Sequence, residues 1–133
     1  GMETDNAKKA EMAYATAAAL WQAKKLSQAR SYAQKAISFN ESYGEPYILL
    51  AQMYGSNPNW SDEPALNRCT YFVVIDKLQR AKAVDPSVTD KVNELISTYA
   101  RHTPQAKDLF MLGYKAGDRI TIGGWIGEST TIR

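Results

Sequence analysis

Apolar side chains recur along most of the chain at offsets of three and four residues, the spacing that places them on one face of a helix. This pattern predicts helices over residues 6–25, 27–39, 47–54, 64–84, 87–102 and 105–112. From Arg119 onwards the alternation changes to a period of two, which is typical of a strand with one buried face. Two segments, near 119–125 and 129–133, can pair as an antiparallel hairpin around the sequence IGE. The pattern therefore predicts a helical chain that ends in a β-hairpin.

Turn and capping residues separate the predicted helices. Ser27 can cap the second helix, and Ser87 with Asp90 has the spacing of a capping box. The segment GSNPNWSDEP, between the third and fourth predicted helices, is a polar loop dense in turn residues. We expect this loop to be ordered, with Trp60 folded back as its anchor, because a loop without a purpose would more simply be plain and polar.

One apolar motif occurs three times in the helical region. Its members fall at offsets 0, 3, 4 and 7, so they share one helical face. The three copies are Ala13, Thr16, Ala17 and Leu20; Tyr47, Leu50, Ala51 and Tyr54; and Val92, Leu95, Ile96 and Tyr99. Leu20 and Tyr54 are 34 residues apart, whereas Tyr54 and Tyr99 are 45 apart. The extra 11 residues of the second interval lie between Tyr54 and Val74, where the Trp60 loop is found.

A 34-residue period with this spacing resembles the tetratricopeptide repeat (TPR) family. The resemblance covers roughly residues 10–110, and the second unit matches best, through Tyr47, Leu50, Ala51, Tyr54, Leu78, Ala81 and Pro86. The first unit departs from the pattern at Thr16 and Leu20, and it has Glu41 in place of the proline. The third unit departs at Ile96, whose large side chain would hinder close helix packing. The alternative is an irregular helical bundle, because the same offsets are the general signature of a helical core.

The resemblance implies an all-α, TPR-like α-α solenoid of about two and a half helix-pair units over residues 6–113, with an insertion near 55–65. Gly1 before Met2 is typical of the residue left by tag removal, so residues 1–5 are expected to be a disordered start. Residues 114–133 are expected to form a β-hairpin cap, because a solenoid cannot bury the face of its last unit. Ile120, Ile122 and Ile132, with Trp125, should then pack against the third unit.

Composition and charge exclude several classes of function. The net charge is only +2 and the basic residues are scattered, which argues against nucleic acid as a partner. No apolar run is long enough to span a bilayer. No signal peptide is evident, but one could precede Gly1, so the sequence allows a cytoplasmic or a periplasmic location.

The residues suited to catalysis are few. His102 is the only histidine and Cys69 the only cysteine, and one of each cannot supply a structural zinc site. We expect His102 to lie at a helix end and Cys69 to be a small buried residue. The sequence therefore predicts neither a metal site nor a cofactor, and an enzyme is a distant third interpretation. A cavity that joins Cys69 and His102 would favour the enzyme interpretation.

The resemblance also implies a concave groove lined by the first helix of each unit. Carried over position by position, its binding residues are Tyr14, Trp21, Gln22, Ile48, Gln52, Asn93, Ser97 and Arg101. The basic clamp with which some family members hold a C-terminal carboxylate is absent, since Asp90 and Glu94 occupy its place in the third unit. The groove predicts a protein or peptide partner. The alternative is a structural role, in which the domain forms a homo-oligomer or docks onto a missing region of a longer parent chain.

Overall fold

The computed structural model describes residues 1–133, and the chain is mostly helical with one small antiparallel sheet. Its helices are α1 (Met2–Gln22), α2 (Leu26–Phe39), α3 (Glu45–Ser56), α4 (Pro64–Arg68), α5 (Thr70–Val84), α6 (Thr89–Ala100) and α7 (Ala106–Met111). A 3-10 turn at Pro86–Val88 precedes α6, and the strands are β1 (Arg119–Thr121) and β2 (Ser129–Thr131). None of these helices combines the length and the apolar character that a membrane crossing requires.

Alanine side chains form the interface between α1 and α2, which pack along each other. The buried alanines are Ala10, Ala13 and Ala17 of α1 and Ala29, Ala33 and Ala36 of α2. They recur at offsets of three and four, so each set faces one way. Because a methyl group occupies little space, the two helix backbones can approach closely along this line.

Helix α3 is the centre of the hydrophobic core. Residues 46–51, together with Met53 and Tyr54, are buried. The helix packs against α2 and α5, and α1 also reaches it. A helix that is apolar on all sides is stable only when neighbours cover all of it. The uninterrupted apolar run YILLA in α3 is therefore explained by the helices that cover it on all sides.

The start of the chain and the helix predicted over 64–84 are where the structure departs most from the prediction. The prediction of a disordered start at residues 1–5 is wrong, because α1 begins at Met2. The helix predicted over 64–84 is interrupted at Cys69, which separates α4 from α5. At this break the Thr70 hydroxyl donates a hydrogen bond to the carbonyl of Pro58, at 2.8 Å. That bond joins the start of α5 to the loop, and a periodicity argument cannot detect it.

The predicted caps are also corrected. Ser27 makes no capping hydrogen bond at the start of α2. Asp85, rather than Ser87, is the capping side chain before α6, since its carboxylate accepts from the backbone N–H of Ser87. The same carboxylate accepts from the N–H of Gly44 at 2.9 Å. Asp85 therefore joins the turn before α3 to the turn before α6, two places 41 residues apart.

The loop between α3 and α4 is folded around Trp60, as predicted. The Trp60 indole N–H donates to the carbonyl of Leu66, at 3.1 Å. The Asn67 side chain holds the loop from the other side, accepting from the backbone N–H groups of Trp60 and Ser61. The ring also lies on Gly123, where an added Cβ would be only 2.9 Å from the indole. The anchor therefore contacts the C-terminal tail, which the sequence does not suggest.

The two strands pair as predicted but are short. Arg119 pairs with Thr131, Ile120 with Thr130 and Thr121 with Ser129. Ile120, Ile122 and Ile132 are all buried, which confirms that the tail, residues 114–133, has one apolar face. Ile126, between the strands, is buried as well.

The sequence predicts the tail against the third unit, and Ile132 does lie beside Leu109 of α7, but the main contacts of the tail are with α5 and α3. Strand β2 packs on α5, and the Trp125 ring meets the Tyr54 ring of α3 edge-on with centroids 5.3 Å apart. The hydroxyl of Thr130 donates to the Asp76 carboxylate of α5, at 2.6 Å. The tail lies here because the partners of its polar groups are on α3 and α5. It leaves α7 largely uncovered, and Phe110 remains 74% exposed.

Four side chains from distant parts of the chain meet where the tail docks. The Glu128 carboxylate accepts a hydrogen bond from the Tyr54 hydroxyl and lies 2.6 Å from the Lys77 ammonium. Arg30 of α2 donates to the oxygen of Tyr54 at 2.8 Å, and its guanidinium lies 3.8 Å from Glu128. Burial above all, and next the neighbouring Glu128, raise the pKa of Tyr54 far above its usual value. The hydroxyl therefore stays protonated and continues to donate.

Removal of the tail should expose the part of the core that it covers. A chain shortened to end at Gly113 loses the buried isoleucines. It also uncovers Tyr54, which Trp125 contacts, and the Phe72 ring, over which the Arg133 guanidinium lies. We expect it to lose a cooperative thermal transition or to aggregate, which circular dichroism and light scattering during heating would detect. A shortened chain that stays monomeric with an unchanged melting curve would contradict this.

Loss of the Glu128 carboxylate should destabilise the fold through its partners. Glu128→Ala leaves Arg30 and Lys77 partly buried without a counter-charge, and the free energy of unfolding in urea should fall by about 2 kcal/mol. Glu94→Ala is the control, since Glu94 is an exposed helical carboxylate in no ion pair, and we expect a change within about 0.5 kcal/mol. Equal effects of the two substitutions would show that the network contributes nothing specific.

Candidate functional site

Two aromatic side chains on one face of α1 are the principal members of the predicted groove. Tyr14 and Trp21 are seven residues apart, which places them two turns from each other on the same side. Both are half-buried, packed against the core at one edge and open at the other. The expectation that Trp21 is partly exposed is confirmed.

The surroundings of Tyr14 are polar. Its ring meets the Tyr43 ring edge-on, with centroids 5.6 Å apart. Burial raises the pKa of Tyr14, the Glu45 carboxylate raises it further and Lys91 opposes them. Glu45 and Lys91 form an ion pair of 3.1 Å that joins α3 to α6. One end of the surface therefore carries a tyrosine pair beside a matched pair of charges.

Trp21 lies at an open cleft of about 550 Å³ at the other end of this face. Gln22, Lys24 and Leu26 line the cleft from the end of α1 and the start of α2, and Ser56 and Asn57 line it from the end of α3. Lys24 has a positive φ of 62°, and its N–H bonds to the carbonyl of Trp21. The N–H of Lys25 bonds to the carbonyl of Leu20, which completes a Schellman turn. This turn fixes the direction in which the chain leaves Trp21.

The prediction that Ile48 lines the groove is wrong. Its side chain is only 1% exposed and belongs to the core. The position equivalent to Tyr14 is covered in α3 because this helix has neighbours on all sides. Gln52, one turn later in α3, is half-exposed and remains available to a ligand.

The predicted residues of α6, and Arg101 directly after it, are exposed but are not joined to those of α1. The Asn93 side chain accepts a hydrogen bond from the Lys82 ammonium of α5, at 2.8 Å, so it turns towards that helix. Ser97 and Arg101 are exposed. No hydrogen bond or ion pair connects these three residues to Tyr14, Trp21 or Gln22. The structure gathers Trp21 and Gln22 around one cleft, and α6 contributes Lys91 near Tyr14.

Tyr43, Glu45, Lys91 and Asn57 were not predicted to belong to this surface. Tyr43 and Asn57 lie in turns, where a helical repeat pattern makes no statement about side-chain direction. Glu45 and Glu11 hold equivalent positions in the first two units, 34 residues apart. That recurrence of a carboxylate one turn before the equivalent positions of Tyr14 and Ile48 is the signal that could have indicated a charged end to the surface.

The two residues weighed for catalysis are separated by their surroundings. Cys69 is fully buried, its thiol lies 3.6 Å from the carbonyl of Ala65, and burial raises its pKa to about 11. His102 is exposed and stacks on the ring of Tyr71, with centroids 5.1 Å apart. The cleft that His102 lines is formed with Asn59, Arg68 and Tyr71, among others, and does not include Cys69. At neutral pH Cys69 is therefore a protonated thiol inside the core.

No family model, curated protein or solved structure matches this chain. The case for a function therefore depends on the geometry of its own residues.

The thiol of Cys69 should react only when the core opens. In the native protein at pH 8 we expect Ellman's reagent to modify it at least about a hundredfold more slowly than in 6 M guanidinium chloride, because the thiolate is scarce and the sulfur is buried. Absorbance at 412 nm follows the reaction. A native rate close to the denatured rate would contradict the assignment of Cys69 as a buried core residue.

Proposed function

We propose that this chain is a non-enzymatic, TPR-type scaffold module that binds a protein or a peptide. The single observation that carries the proposal is the aromatic face of α1, where Tyr14 and Trp21 are held by the core at one edge and open to a ligand at the other. Large aromatic side chains fixed in this way are the residues that most often dominate binding energy at protein interfaces.

The helix contacts support a TPR-type arrangement. Each long helix packs on the next along the chain, α1 on α2, α2 on α3, α3 on α5 and α5 on α6. The small residues of the repeat motif, Ala17 and Ala51, are fully buried. Close approach also occurs at Gly55, where an added Cβ would lie 2.6 Å from the Tyr99 ring. This order of contacts is what a row of helix pairs would give.

The cleft beside Trp21 has the composition of a peptide site. Trp21 and Leu26 offer apolar contact, while the side chains of Gln22 and Asn57 carry amide donors and acceptors at the rim. The Asn57 amide already donates to the carbonyl of Met53, which orients its oxygen. A ligand that inserts one apolar side chain and hydrogen-bonds through its backbone fits this arrangement.

The second candidate is self-association through α1. Its exposed side contains Met12, a large apolar residue that is 71% exposed. A second copy of the chain could bury this side. Sedimentation at increasing concentration separates the two functions, since a self-associating module grows in size and a peptide receptor does not.

The proposal is tested by selecting a phage-displayed library of random twelve-residue peptides on the intact chain. Trp21→Ala should weaken the peptides that bind this surface by about 2 kcal/mol, a hot-spot loss, with an unchanged far-ultraviolet circular dichroism spectrum. Gln22→Arg, at an exposed position of the rim, should weaken them without touching the core. Tyr32→Ala, which removes a half-buried aromatic from α2, is the matched control and should change the dissociation constant little. Selected peptides that are all indifferent to Trp21→Ala and Gln22→Arg would refute a binding role for this face.

A further inference from the structure

A second surface, distinct from the face of α1, lies between α7 and the tail. Ten residues line a groove of about 460 Å³, of which seven are hydrophobic and the other three are Lys107, Lys115 and Arg133. No residue of this groove belongs to the cleft of Trp21. We propose that this groove binds a peptide segment of a protein partner that presents an apolar side chain flanked by carboxylates.

Exposed apolar side chains are the first part of the argument. Phe110 and Met111 are 74% and 84% exposed. They belong to the six-residue helix α7, whose buried residue Leu109 fixes it to the core. Isolated exposed apolar residues are ordinary, but two adjacent large ones on the wall of a concavity form a patch that a partner can cover. Leu109 and Ile132 form the floor of the groove where they reach it from the core.

The groove is already shaped in the free chain. The N–H of Tyr114 bonds to the carbonyl of Leu109, and that of Gly113 bonds to the carbonyl of Phe110. These two bonds form a Schellman turn, with Gly113 at a φ of 91° in the position that favours glycine. The turn brings Tyr114 back beside Leu109, so both side chains line the groove without any rearrangement. A preformed groove costs a ligand less ordering entropy than a flexible loop would.

Charge complementarity identifies the occupant. Every charged residue that lines the groove is a cation. Arg133 is compensated by an ion pair with Asp76, whereas Lys107 and Lys115 take part in none of the ion pairs of the chain. The nearest carboxylates along the chain face elsewhere: Asp108 lines a separate cleft with Arg68, and Asp118 accepts from the backbone N–H of Lys115. Two uncompensated ammonium groups beside an apolar floor favour a ligand with acidic residues next to its apolar anchor.

A concave site favours a peptide over a flat membrane surface, since a groove contacts an inserted side chain on several sides.

The experiment uses the same peptide library on the intact chain. It selects the peptides that bind the wild-type chain but do not bind a Phe110→Ser variant. Phe110 is exposed, so its replacement should leave the fold intact, and Met12→Ser provides an equally exposed control on α1. We expect the retained peptides to combine a Leu, Phe or Trp with Asp or Glu nearby.

Charge reversal then tests the chemistry. For a retained peptide, Lys107→Glu with Lys115→Glu should weaken binding at least about tenfold, and replacing the acidic residues of the peptide by amides should weaken it similarly. Lys8→Glu with Arg80→Glu changes the net charge equally at exposed positions elsewhere, and we expect no effect. Trp21→Ala should also have no effect, so failure of this site and failure of the α1 site are separate results.

Several outcomes would overturn the proposal. The first is that no peptide distinguishes the wild-type chain from Phe110→Ser, and the second is that the retained peptides are basic or carry no charge. Binding of phosphatidylcholine–phosphatidylserine vesicles that requires Phe110, without peptide binding, would show a lipid surface instead. Concentration-dependent dimerisation abolished by Phe110→Ser would show that a second copy of the chain occupies the groove.

Discussion

The carboxylate of Glu128 is the contact on which the arrangement of the chain depends. It meets Arg30 of α2, Tyr54 of α3 and Lys77 of α5, three helices that would otherwise share mainly apolar contacts. Apolar packing is non-directional, and a tail with a buried isoleucine face could settle on more than one apolar surface. A partly buried carboxylate is different, since it is stable only where its hydrogen-bond donors and counter-charges are. The position of Glu128 therefore determines which surface the tail covers.

Once the tail is held there, other features of the sequence follow. Trp125 reaches the ring of Tyr54, and Gly123 lies under Trp60. A side chain at Gly123 would collide with that ring, so the loop between α3 and α4 and the tail form one joint surface. The Trp60 indole N–H is hydrogen-bonded to the carbonyl of Leu66 in α4, which fixes the ring in the position where the tail covers it. The loop, the tail and α3 thus stabilise one another, although they lie far apart in sequence.

The sequence predicts what is local and misses what depends on distant partners. Periodicity identifies α1 and α2 because their buried alanines recur at offsets of three and four, and the change to a period of two identifies the antiparallel strands of the tail. It cannot place the tail, since the isoleucine pattern states that a face is buried but not against what. The break at Cys69 and the cap at Asp85 were not predicted for the same reason. The hydrogen bond at the break is accepted by the carbonyl of Pro58, and the Asp85 carboxylate accepts from the N–H of Gly44, so both depend on residues distant in sequence.

The candidate site shows the same division between local and distant information. Trp21 is half-exposed as its position on α1 predicts, since that side of the helix has few neighbours. Tyr14, on the same side, is half-buried, whereas Ile48, which holds the position of Tyr14 in α3, is fully buried because α3 is covered by α1, α2 and α5. Equivalent positions of a repeat predict the direction in which a side chain points. They do not predict which neighbouring helices cover that side chain.

The strand edges of the hairpin are less suited to a partner than the apolar groove that we propose at α7. An unpaired strand edge invites pairing with another chain unless it is short or carries polar side chains. Here each strand has only three residues. Arg119 donates to the hydroxyl of Thr131, and the hydroxyls of Thr121 and Ser129 lie 2.7 Å apart, so the solvent face is occupied by cross-strand polar pairs. A partner gains little backbone pairing from such an edge, whereas Phe110 and Met111 offer apolar area that folding has left uncovered.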